Sequence, residues 1–173
     1  FNTFVDYPDE QEEFDIVRRT TADVTVTVTP TLTAEEIVAL QRIVRRVPVA
    51  DHVVRYALQL ARLTRPHKGD APDFVREYVN WGAGPRASQY LVLGAKARAV
   101  LHGRFHPSID DVRAVAPPVL RHRIMTNFNA EAEGIKSDDI VRRLIETVNL
   151  DEEKARGRGE LSEVFGSEDP VAT

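Results

Sequence analysis

At 173 residues with 42% apolar side chains, the chain suits one compact domain, or one with an appendage, and can bury roughly 70% of its unfolded surface without a covalent staple. It has no cysteine, which excludes a disulfide framework, a thiolate zinc site and cysteine catalysis, and no apolar run approaches the roughly 20 residues of a membrane span, so a cytoplasmic protein is expected. The formal charge of −4 hides three blocks: −6 over 1–15 (six acids, no base), +6 over 16–150 (20 bases, 14 acids) and −4 over 151–173 (three bases, seven acids), without the clustered basic footprint of a nucleic-acid binder.

Phe1 to Tyr7 is apolar and aromatic with strand character from its first residue, as expected of a fragment beginning in mid-element, and its acidic surroundings do not resemble the n-region of a signal peptide. Pro8 then opens an acidic turn that leads through Phe14, Ile16 and Val17 to Arg18 and Arg19. Charges of that order complement a helix dipole, so a helix is expected over about 8–20. The β-branched run ending at Pro30 reads as an extended connector. Thr33 with Glu36 forms a capping box, and Ile37, Leu40, Ile43, Val44 and Val47 recur at helical spacing, which predicts a helix over 34–47 that pairs with the next one as a two-helix hairpin.

Pro48 ends that helix, and 49–63 repeats the pattern with Val53, Val54, Ala57, Leu60 and Leu63 on one face; Pro66 to Pro72 makes a polar turn. The next helix is expected from Pro85 to Leu101, with Gly103 just past its end. Ser108 with Asp111 caps a shorter helix that Pro117 and Pro118 should interrupt, and Ser137 caps a last one through about Val148. Beyond it lies an acidic, Gly-containing tail over 150–173, expected to be mobile. Helices with almost no strand indicate an all-α bundle.

The most informative stretch is Asn80-Trp81-Gly82-Ala83-Gly84-Pro85-Arg86-Ala87-Ser88-Gln89, a glycine turn feeding a long helix. Pro85 suits the first helical position, and the free N–H groups there carry the positive end of the macrodipole beside Arg86, an arrangement that attracts phosphate. By spacing alone, a plain helix start with a solvated Arg86 is the commoner reading of such a turn. The same residues match G-x-G-x-x-A, yet the second strand and the acidic residue of a dinucleotide site do not follow. None of the four lysines follows a glycine, so there is no G-x-x-x-x-G-K-[ST] loop. His102 and His106 stand four apart, but Gly103 and Pro107 break the helical frame a two-histidine metal site needs. His52 and His67 read as surface residues, and no serine sits in a nucleophile elbow. Arg121-His122-Arg123 is a basic triplet open to phosphate, an acidic partner or solvent.

Val5-Asp6-Tyr7-Pro8, Trp81-Gly82-Ala83-Gly84-Pro85-Arg86-Ala87 and Val119-Leu120-Arg121-His122-Arg123-Ile124, in that order, resemble the C-terminal part of a MoxR-family AAA+ ATPase from Phe1 to about Val148. The resemblance implies a small helical bundle of the AAA+ lid type. Its divisions would be a junction remnant with a missing nucleotide-binding domain at 1–7, the lid at 8–149 and the tail at 150–173. Gly84, Pro85, Arg86 and Ala87 resemble the sensor-2 motif, which implies that Arg86 reaches the γ-phosphate of ATP bound in the neighbouring domain; Tyr7 and Pro8 fall near the junction where adenine is held. The P-loop, the magnesium-binding strand, sensor 1 and the arginine finger would lie upstream of Phe1, so Mg2+ would be held there and the chain alone should not hydrolyse ATP. The implied partners are that upstream domain, neighbouring subunits of a hexameric ring and a client protein complex that the ATPase remodels or activates in chaperone fashion; nucleic acid is not among them. The alternative is a stand-alone helical module binding an acidic protein or nucleic acid through Arg45, Arg46, Arg121 and Arg123.

Overall fold

A computed structural model describes residues 1–23, 27–68 and 70–148. Its helices are α1 (Glu10–Thr20), α2 (Ala34–Arg46), α3 (Asp51–Leu63), α4 (Asp73–Tyr78), α5 (Pro85–Leu101), α6 (Ile109–Leu120), α7 (Phe128–Ala132) and α8 (137–148), with short strands β1 (Val79–Trp81) and β2 (Met125–Thr126). The described residues are thus all-α apart from one small ribbon. The tail expected over 150–173 lies outside the described residues.

Local signals set most helix ends. Asp9 caps α1 in a reciprocal box with Glu12, so the helix starts at Glu10, and Pro8 stays outside it rather than opening it. Thr33 and Glu36 close the same box on α2, with Glu36 N–H donating to Thr33 Oγ1 at 3.2 Å and Thr33 N–H to Glu36 Oε2 at 2.7 Å. Gly103 ends α5 with φ +68. Its N–H bonds the Val100 carbonyl and the Arg104 N–H bonds that of Ala99, the paired geometry of a Schellman end. At α8 the cap falls one residue before the expected Ser137: the Lys136 N–H donates to the Asp139 carboxylate at 3.0 Å, which holds that acid below its ordinary value.

The two prolines do not interrupt α6. The helix runs through Pro117 and Pro118 to Leu120 because Val115, Ala116, Val119 and Leu120 are buried around them. Tertiary packing thereby outweighs the roughly 3 kcal/mol that an interior proline costs a helix. The ribbon pairs antiparallel, Val79 with Thr126 and Trp81 with Met125, across a bulge. Asn127 extends it by donating from its N–H to the Tyr78 carbonyl, then caps α7 by accepting from the Ala130 N–H. These short elements escape a reading by periodicity.

The core is one cluster centred on α3, α5 and α6, including Tyr56, Leu60, Leu91, Val112 and Leu120, and closed by Ile140, Leu144 and Val148 of α8. Burial of such side chains contributes about 1.5–3 kcal/mol each. On α3 the expected face is buried except at Val54, with Tyr56 and Ala61 added to it. The N-terminal third departs from expectation. Phe1 to Tyr7 forms no strand; it is held by the Asn2 N–H bond to the Pro118 carbonyl at 2.8 Å, and the Phe1 ring lies over Gly94. Neither α1 nor α2 has a buried residue. Of the α2 stripe only Val47, just past the helix, is buried, while Ile37, Leu40 and Ile43 stand 44–50% exposed.

Candidate functional site

The start of α5 is built from the end of α3. Thr64, fully buried, follows the last apolar turn of α3; its hydroxyl donates to the Ala61 carbonyl at 2.7 Å and accepts the Ala83 N–H at 2.8 Å. Arg65 Nε donates to the Ala83 carbonyl at 2.9 Å. Both backbone groups of Ala83 are therefore fastened to two neighbouring residues of another element. Gly82 permits this approach, since a Cβ there would stand 2.2 Å from the Thr64 carbonyl oxygen. Gly84 is different: its backbone is extended and a Cβ would touch nothing, so the fold itself does not require glycine there.

Gly84 is the cap residue of α5, Pro85 takes the first helical position, and Ala87 is buried, its N–H bonding the Gly84 carbonyl at 3.0 Å. Arg86 stands exposed between them, and among the described residues nothing pairs with its guanidinium. The electrostatics of this helix start are distinctive. Each of α1–α4, α6 and α7 carries an acid in its first turn, whereas α5 has none and no side-chain cap. Its positive end is left uncompensated, with an arginine added. A cavity of about 320 Å³ adjoins the turn, lined among others by Arg65, His67, Lys68, Trp81, Gly84 and Pro85.

Gly84, Pro85, Arg86 and Ala87 are thus brought together by the fold. Tyr7 is 94% exposed, and Pro8 borders a groove on α1 with Glu12, Asp15, Ile16 and Arg19. Among the described residues no hydrogen bond or ion pair joins them to the α5 turn.

Both arginines of the 121–123 triplet have internal work. Arg121 pairs with Asp138 of α8 at 3.0 Å, and Arg123 stacks over the Tyr90 ring at 5.2 Å while donating to the Val119 carbonyl. Burial, with Arg123 and Arg121 beside it, pushes the His122 imidazole down. Two of the four arginines available to a nucleic-acid surface are therefore engaged within the fold. A further cluster escaped the sequence reading. Asp111, foreseen as a capping partner of Ser108, is 1% exposed and also accepts from Arg98 at 2.9 Å and Arg104 at 2.6 Å. Those bonds, Arg104 first, hold its carboxyl well below the usual range. Thr64 carries one faint signal, a polar residue at the end of the α3 apolar stripe, but its Ala83 partner is 19 positions along the chain; the Arg104 and Arg98 partners of Asp111 are 7 and 13 positions away, at no spacing within one helix that marks them.

A family model described as the AAA lid domain matches residues 73–144, which include the α5 turn. Across 87% of its length the chain is 31% identical to YeaC of Bacillus subtilis and 31% identical to the chaperone MoxR1 of Mycobacterium tuberculosis. It spans 44% and 40% of the lengths of those two relatives. A crystal structure from Cytophaga hutchinsonii, assigned as an ATPase, superposes with a TM-score of 0.71 at 26% identity, over 82% of this chain and 43% of that one.

Proposed function

The chain belongs to the MoxR family of AAA+ ATPases as its lid part, and from that premise we propose that the start of α5 is its nucleotide sensor. Arg86 is the residue that reads the terminal phosphate of ATP held in a nucleotide-binding part of the same protein. Gly84, Pro85 and Ala87 aim it, and Mg2+ is held by that other part. One observation carries the reading: of the helices α1–α7, α5 alone presents a bare, acid-free N-terminus, and its arginine is exposed and unpaired among the described residues. Such an end favours an anion by its dipole, and a guanidinium can grip two phosphate oxygens at once. The lack of any steric need for glycine at Gly84 fits a backbone that a ligand approaches closely.

Arg86 binds and orients here; no group of this chain transfers a proton or attacks phosphorus. The turn is fastened to Thr64 and Arg65, so a pull on Arg86 moves α3 with it. That coupling is how gain or loss of the terminal phosphate becomes lid position, and through it the remodelling of a client complex by a hexameric ring in the cytoplasm. Tyr7 and Pro8 face adenine only if the nucleotide-binding part brings it to them.

The test is Arg86→Ala in the full gene product. ATP turnover should fall by about 10²–10³, the usual loss when one donor to developing charge is removed, with unfolding unchanged. Arg86→Lys should recover part of that loss. Near-normal turnover in Arg86→Ala removes the sensor role.

A further inference from the structure

The α2 helix has more local stabilisation than its contacts explain. It has a closed capping box, acids Glu35 and Glu36 in its first turn and Arg45 and Arg46 in its last, yet no residue of it is buried. A 13-residue helix is marginal in water on its own, so an amphipathic one is normally stabilised by what covers its apolar face. Its stripe is covered at one end only. Val47, just past the C-terminal end, is 9% exposed against the lid core, and Val44 is half-buried. Ile43, Leu40 and Ile37, going toward the N-terminus, are 50%, 46% and 44% exposed. The lid covers the lower end of the stripe and leaves the upper turns open.

Two further facts bear on what covers them. The lid-domain match begins at residue 73, so α2 lies outside it, as do α1 and α3; burial, not that boundary, separates α2 from α3. The relatives, however, match 87% of this chain, a stretch that takes in all of α2 wherever it starts, and more than half of each relative's length lies outside the match. The helix is therefore shared with proteins that have a large body beyond the lid. Phe14 and Val17 of α1 stand 59% and 53% exposed in the same way.

We infer that the open turns of α2, at Ile37, Leu40 and Ile43, are the seat on which the nucleotide-binding part of the protein docks against its lid. The inference rests on the family reading above but not on Arg86. It redraws the expected division of the chain at 8–149, because the outer face of α2 then belongs to the contact between the two parts and the lid core proper begins at α3.

Amide hydrogen exchange on the full gene product and on the 173-residue chain tests this. Backbone amides of 37–46 should exchange at least about ten-fold slower in the full product, with α5 and α6 unchanged between the two. Ile37→Asp with Ile43→Asp should abolish that slowing while α5 and α6 keep their protection, which shows that the lid still folds. Arg86→Ala should leave the slowing in place, so failure of the sensor reading and failure of the docking surface give different results. Equal exchange of 37–46 in both proteins overturns the inference. Slowing in the 173-residue chain that grows with its concentration also overturns it, since a second copy then covers the face.

Discussion

The α3–α8 region and the α1–α2 pair are written in the same helical alphabet and end differently. Both have caps, dipole-matched charges and apolar residues three and four apart, but α3 buries six residues and α2 none. Periodicity states only that a helix has a face to cover. Whether the cover lies within the same 173 residues is a property of the assembly.

The widest test of that contrast is a matched truncation. Leu60→Ala, in a fully buried position, should cost the 173-residue chain about 3–4 kcal/mol by denaturant unfolding, whereas Leu40→Ala, 46% exposed, should cost about 1 kcal/mol or less. Equal losses would mean that α2 is covered after all. A smaller effect is expected from Asp111→Asn, which removes the carboxylate shared by Arg98, Arg104 and Ser108 and should cost about 2–3 kcal/mol at neutral pH. The folded value of Asp111 lies below the ordinary 3.8, so its stabilisation is fully present above that pH and is lost as pH falls toward the lowered value. The variant's stability curve should be flatter than the parent's over that acid range; identical slopes would remove the cluster from the account. The smallest is Thr64→Val, which keeps the shape but strands the buried Ala83 N–H, at about 1–2 kcal/mol. If the turn is what aims Arg86, that variant should also lower ATP turnover in the full product, while a stability loss alone would make Thr64 merely structural.

Features set by neighbours in sequence were legible. The Thr33–Glu36 box and the Gly103 end follow from residues three or four apart and occur where expected. Pro117 and Pro118 misled because their local cost is outweighed by the burial of Val115, Ala116, Val119 and Leu120, which only the folded core supplies. The ribbon of three and two residues is too short to show a period. At the candidate site, Gly84-Pro85-Arg86-Ala87 stood out through the resemblance and the helix-start chemistry. Thr64 did not, because the Ala83 N–H it accepts comes from 19 positions along the chain. The α2 stripe is legible as apolar, but spacing cannot name what covers it.

The Thr64 hydroxyl has one proton to give and gives it to Ala61, while its oxygen takes the Ala83 N–H. One side chain thus ties the α5 turn to the end of α3, and on the proposed reading a movement imposed at Arg86 is passed through that tie to the far side of the lid.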